Sequence, residues 1–204
     1  MEQASSTFAP CLTVPRVVGT APKLDGTLDD RCWEFAASMP SLTHGRFPEK
    51  SGELPPNAFL LTYDQENLYL GFRSLFPDGA AIKTGALRTP DKEPEVWGDE
   101  SFEFYLSLGD TLYRFAGNVA GGYTEWRGTD ASWNGAWTYR STLKMRIDNT
   151  RLWQGTAAIP WRTLGLDAPP AEKLKFNFCR TWRLPELSTH SSLIDGGQYN
   201  KVDE

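Results

Sequence analysis

At 204 residues the chain is long enough for one sizeable domain and short of two ordinary ones. Its hydrophobic fraction of 40% and charged fraction of 23% are ordinary for a globular domain, so no metal or disulfide is needed merely to hold a core. The net charge of −5 argues against nucleic acid or an anionic membrane as partner, since both want a basic surface.

Residues 1–22 read as an irregular entry containing Pro10, Pro15 and Pro22. No secretory apolar core follows Met1 and no stretch reaches transmembrane length, so an exported protein would have lost its signal already. The run Leu24-Asp25-Gly26-Thr27-Leu28-Asp29-Asp30 predicts a turn, with Asp29 or Asp30 capping a short helix that carries Cys32, Trp33, Phe35 and Ala36. Residues 40–56 read as loop. The segments 58–63 and 68–75 flank the turn Asp64-Gln65-Glu66-Asn67 and predict a hairpin. A long loop, 76–98, ends at Trp97. A second hairpin, 100–108 with 111–119, turns at Gly109-Asp110. Loop-rich sequence follows over 120–137. Next, Tyr139, Ser141, Leu143, Met145 and Ile147 alternate with Arg140, Thr142, Lys144 and Arg146, which predicts a half-buried strand with one solvated face. Strands at 151–159 and 174–180 complete the set, with a helical turn at Pro160 to Leu164 between them. Short strands, hairpin turns and minimal helix argue for an all-β antiparallel sandwich.

The side-chain chemistry excludes several enzyme classes. The two histidines, His44 and His190, fall in no zinc motif, and no Gly-rich phosphate loop or nucleophile elbow occurs. With three methionines as well, haem ligation is poorly supplied. Asp99 and Glu103 share a strand face but lie roughly 13 Å apart by the rise per residue. Glycosidase carboxylates stand about 5–9.5 Å apart. Three cysteines cannot form a complete disulfide framework: Cys179 reads as a buried thiol, whereas Cys11 and Cys32 either pair or remain free. Eight Trp, seven Tyr and eleven Phe are the compositional oddity, and burying every indole would require eight N–H acceptors, so some are expected to be exposed.

The second hairpin carries the candidate site. Phe102, Phe104 and Leu106 alternate toward the core, leaving Asp99, Ser101, Glu103 and Tyr105 on the other face. A symmetric turn sets Ala116 opposite Glu103, Arg114 opposite Tyr105 and Asn118 opposite Ser101. Glu103, Arg114 and Asn118 then cluster beside Trp97 as acceptor, charged donor and amide. Pattern alone equally describes an exposed cross-strand ion pair of little energetic weight.

The run Leu24-Asp25-Gly26-Thr27-Leu28-Asp29-Asp30-Arg31-Cys32-Trp33 resembles the opening of family 9 carbohydrate-binding modules. Further resemblances follow in order: Tyr63-Asp64-Gln65-Glu66-Asn67-Leu68-Tyr69, Trp97-Gly98-Asp99-Glu100-Ser101-Phe102-Glu103, Asn118 with Gly121, Ala158-Ile159-Pro160-Trp161, and Leu174 to Asn177. Together they cover residues 12 to 200. The resemblance implies a jelly-roll type β-sandwich over 23–204. It implies binding of plant-type glucan or xylan, without catalysis, as part of a secreted carbohydrate-active protein in which the module is tethered to a catalytic or other domain. By the same likeness Trp97 matches the first of two clamping tryptophans, Glu103 a sugar-binding glutamate and Asn118 a sugar-binding asparagine. The family's arginine falls where this chain has Ala116, and Arg114 is the candidate substitute; Tyr199 is the candidate for the second clamp. Glu204 ends the chain about where the family's last strand should begin, so the sequence reads either as a piece of a longer protein or as a domain without that strand. No cofactor is implied with certainty. Relatives hold structural calcium, for which Asp25-Gly26 or Asp29-Asp30 are candidates alongside plain turn and capping roles. The competing function is a structural or protein-docking sandwich that has lost its sugar site.

Overall fold

The computed structural model describes residues 11–39, 42–44, 47–85, 95–185 and 187–193. Eleven strands are described: β1 (Ala37–Met39), β2 (Thr43–His44), β3 (Asn57–Tyr63), β4 (Asn67–Phe76), β5 (Ser101–Leu108), β6 (Thr111–Asn118), β7 (Tyr123–Arg127), β8 (Thr138–Met145), β9 (Arg151–Pro160), β10 (Lys175–Leu184) and β11 (Leu187–Ser192). They form two sheets, ordered β1-β3-β4-β9-β8 and β2-β11-β10-β5-β6-β7, and every strand pairing is antiparallel. The remaining regular structure among the described residues is 3₁₀, at Arg31–Phe35, Pro48–Glu53, Val96–Gly98 and Trp161–Leu164. Among the described residues no helix is long and apolar enough to cross a membrane. The expected sandwich is the fold observed.

Aromatic rings join the two sheets. Phe59 of β3 stacks on Phe178 of β10 with centroids 4.2 Å apart, and Phe72 of β4 meets Phe102 of β5 at 4.6 Å. Such pairs contribute about 0.5–1.5 kcal/mol each beyond their buried area. Trp153 and Trp161 lie in this core, and Trp182 is fully buried beside it. Trp182 covers an ion pair enclosed between the sheets. The Arg180 guanidinium carbon sits 4.2 Å from the Trp182 ring and 4.6 Å from that of Trp153, while its Nη2 meets Glu100 Oε2 at 2.6 Å.

The opening motif lies across the outer face of the five-stranded sheet. Trp33 and Cys32 pack there with Tyr69 and Ala158. Gly71 of β4 makes room, since a Cβ at that position would come within 2.9 Å of the Trp33 ring. Gly26 has φ +84, its N–H donates to Thr156 Oγ1 at 2.9 Å, and its carbonyl accepts from Thr142 Oγ1 at 2.8 Å. A Cβ on Gly26 would lie 2.8 Å from the Ser141 carbonyl carbon, so only glycine fits both the backbone and the gap.

Several expectations need correction. The residues after Asp30 form a 3₁₀ turn without a side-chain cap; Asp30 instead accepts the Lys23 backbone N–H at 2.7 Å. The 40–56 region holds strand β2 and a 3₁₀ turn, and the 120–137 region holds β7. Leu143 and Met145 are exposed rather than half-buried, and Ile147 is fully so. Strand β8 is a sheet edge, and burial along its neighbour β9 begins only at Trp153, which pairs with Leu143. All three cysteines are free thiols: Cys11 is exposed, Cys32 and Cys179 are buried, and burial raises the pKa of both buried thiols.

Candidate functional site

The two-residue turn at Gly109-Asp110 fixes the β5–β6 register, with Leu108 opposite Thr111. Glu103 therefore pairs with Ala116, Tyr105 with Arg114 and Ser101 with Asn118, as the alternation required. Strand β7 extends the row by setting Trp126 beside Arg114, and β10 does so on the other side by setting Cys179 beside Glu103. Trp97 joins from the 3₁₀ turn Val96–Gly98, which runs directly into β5.

Arg114 is the centre of this face. Its guanidinium carbon lies 4.3 Å from the Trp97 ring centroid, 5.3 Å from Trp126 and 5.5 Å from Tyr105. Trp97 and Trp126 meet edge to face, with centroids 6.0 Å apart and planes at 76°. Arg114 Nε donates to Glu103 Oε2 at 2.6 Å, its Nη2 pairs with the same oxygen, and the Tyr105 hydroxyl donates to it at 2.7 Å. Burial, and then the Glu103 charge, push the Tyr105 pKa far up, so the phenol stays protonated and donating. The side chain of Arg114 is 21% exposed and that of Glu103 not at all. The outward face was expected to present Glu103 to solvent. Instead the carboxylate is the buried base on which Arg114 stands.

Asn118 lies one register step away and is likewise fully buried. Its Nδ2 donates to Asp99 Oδ2 at 3.0 Å, and its Oδ1 accepts the Gly122 N–H at 2.7 Å. The side chain thus ties the start of β5 to the turn after β6. Trp97, Glu103 and Arg114 are brought into one cluster, Asn118 is adjacent to it with its amide turned to Asp99 and Gly122, and Tyr199 falls outside the described residues. Among the aromatics of the 120–137 region, Trp126 extends the platform. Trp137 is buried with its Nε1–H on Glu125 at 2.6 Å, and Trp133 packs edge-on against Tyr113.

One participant escaped sequence reasoning. Arg183 of β10 donates its backbone N–H to Glu100 Oε1 at 2.7 Å and its Nε–H to the Trp97 carbonyl at 3.0 Å. The loop that carries Trp97 is thereby fixed to the neighbouring strand. Arg183 alternates with the inward-facing Trp182 and so faces outward, a signal readable only once β10 is known to continue past Arg180. The Trp97 Nε1–H is buried and has no acceptor among the described residues.

Of the candidate calcium residues, Asp29 pairs with Lys144 Nζ at 3.6 Å and Asp30 accepts the Lys23 backbone N–H, while Asp25 sits in a local turn. Asp25 Oδ1 accepts the Thr27 N–H and hydroxyl, both at 2.9 Å, and those bonds lower its pKa. Among the described residues no three acidic, His or Cys side chains converge as a metal site would require.

No protein-family model matches the chain, and no curated protein matches it. Solved structures do. A candidate carbohydrate-binding protein from Bacteroides uniformis superposes with a TM-score of 0.68 at 17% identity, covering 92% of this chain and 91% of that one. A family 9 carbohydrate-binding module from Caldicellulosiruptor kristjanssonii, in complex with cellotriose, superposes with a TM-score of 0.57 at 13% identity, covering 92% and 85%. At these identities the likeness is one of fold. Two antiparallel sheets in this order define an all-β sandwich, and its resemblance is to family 9 carbohydrate-binding modules.

Proposed function

We propose that the outward face around Trp97 binds carbohydrate without catalysis, as an accessory module for plant-type glucan or xylan in a secreted carbohydrate-active protein. The observation that carries this reading is the half-exposed Trp97–Arg114–Trp126 platform, held rigid by Glu103 beneath it. A pyranose presents an apolar C–H face that stacks on an indole. Burying on the order of 100 Å² there contributes about 2.5 kcal/mol before ordering costs. Hydrogen bonds add about 1 kcal/mol each, which suits micromolar to millimolar binding. Tyr199 remains the proposed second aromatic partner. Hydrolysis is not expected: Glu100 turns inward to Arg180 while Glu103 turns outward to Arg114, so the two carboxylates cannot flank one bond.

A second reading, a sandwich kept for structure or docking, draws on the complete burial of Glu103 and Asn118. One comparison separates them. Calorimetry with xylo- and cello-oligosaccharides should show binding by the native protein and none by Trp97→Ala, whose melting temperature falls little. Trp33→Ala should lose about 3–5 kcal/mol of stability through a core cavity. Absence of binding to every oligosaccharide, or a Trp97→Ala variant that melts as early as Trp33→Ala, favours the structural reading.

A further inference from the structure

The charged side chain that faces outward beside the Trp97 turn, Arg183, is a hydrogen-bond donor only. Arg183 is half-buried, and its guanidinium is held in place by the Nε–H bond to the Trp97 carbonyl. Among the described residues its outer nitrogens have no carboxylate partner. The two nearby acidic groups are engaged elsewhere: Glu103 with Arg114 and Tyr105, and Glu100 with Arg180 inside the sandwich. Asp99 is buried against Asn118. Strand pairing sets Ser188 beside Arg183 and His190 beside Thr181, so Arg183 stands between the aromatic platform and a hydroxyl-bearing strand.

A sugar hydroxyl both donates and accepts, whereas a carboxylate only accepts, and a guanidinium fork matches it with two parallel bonds. We propose that the preferred ligand is a glycan bearing a uronic acid, with its sugar ring at Trp97 and its carboxylate on Arg183. This rests on the carbohydrate reading above and names the substrate class for the same face. Charge narrows it further. On this face, Arg183 without a carboxylate partner among the described residues, on a protein of net charge −5, suits a single carboxylate on an otherwise neutral backbone. A polymer charged at every residue would be repelled by the rest of the surface. A xylan backbone with sparse glucuronic acid branches has this chemistry, and a polygalacturonate does not.

The test uses the whole chain and three probes: a xylo-oligosaccharide with one glucuronic acid branch, the same molecule with its carboxyl reduced to the alcohol, and an oligogalacturonate. Calorimetry should give the acidic branched probe an affinity about tenfold above its reduced twin. That ratio should shrink as ionic strength rises and the Debye length falls from about 10 Å toward 3 Å. Arg183→Gln should bring the ratio toward one and Arg183→Lys should retain part of it, with thermal melts reporting the fold of each. The salt dependence of the native protein supplies the answer even where a variant does not fold. Equal affinity for the acidic and reduced twins overturns the inference and leaves the carbohydrate reading standing. Tighter binding of oligogalacturonate than of the branched probe also overturns it. Binding of none of the three overturns the inference, and failure of cello-oligosaccharides to bind as well overturns the carbohydrate reading with it.

Discussion

Glu103 is where residue pattern and residue environment part company. Alternation along β5 and the Gly109-Asp110 turn place it opposite Ala116 and diagonal to Arg114, and those pairings hold. Its burial was not legible, because period-two alternation tells which face a side chain takes and not what covers that face. The cover comes from Trp97 on a turn before β5, Trp126 on β7 and Arg114 itself. The same limit explains Asn118, which alternates outward as expected yet bonds Asp99 and the Gly122 backbone. A buried carboxylate that carries a guanidinium makes a sharp prediction. Glu103→Gln removes one charge of the pair and leaves Arg114 uncompensated among three rings. Losing one partner of a fully buried pair costs about 3–5 kcal/mol; with Arg114 at 21% exposure the expected loss is about 2 kcal/mol. Thermal melts should record a fall of about 4–8 °C for a chain of this length. An unchanged melting temperature would show that the pair does not hold the platform together.

At the scale of elements, turns were the most legible features and edges the least. The hairpins β3–β4 and β5–β6 follow from short polar or Gly-containing turns between apolar alternations. The final apolar residues of β8 obey the same alternation but lie exposed, since an edge strand can run past the core that its neighbours enclose. The 24–33 motif shows what a sequence signature encodes physically. Gly26 answers to a left-handed backbone and to the Ser141 main chain 2.8 Å from where a Cβ would stand. Gly19 has the same φ of +84 with nothing within 4 Å, which makes it an internal control. Alanine at Gly19 should cost only the left-handed penalty, about 1–2 kcal/mol. Alanine at Gly26 must add displacement of β8 and should destabilise clearly more, perturbing Thr142 and Thr156 in hydrogen exchange. Equal losses at both positions would mean that the loop is not seated on the sheet as described.

For the whole molecule, the strand count and turn spacing were enough to reach a two-sheet sandwich, because alternation with frequent turns leaves few other architectures. The platform needed more. Arg183 and Trp126 come from strands far apart in sequence and reach Trp97 only through the sheet order β10-β5-β6-β7, which no local pattern specifies. The account's central claim is that this outward face, and not the apolar core, receives sugar. The eight tryptophans provide built-in reporters, because each indole N–H gives its own signal in a ¹⁵N-correlated NMR spectrum. Titration with xylo- and cello-oligosaccharides, acidic branches included, should shift the Trp97 and Trp126 indole signals progressively. Those of the buried Trp33, Trp153, Trp161 and Trp182 should stay fixed. A titration in which no indole signal moves, or in which shifts appear while Trp97 and Trp126 remain still, would contradict the claim.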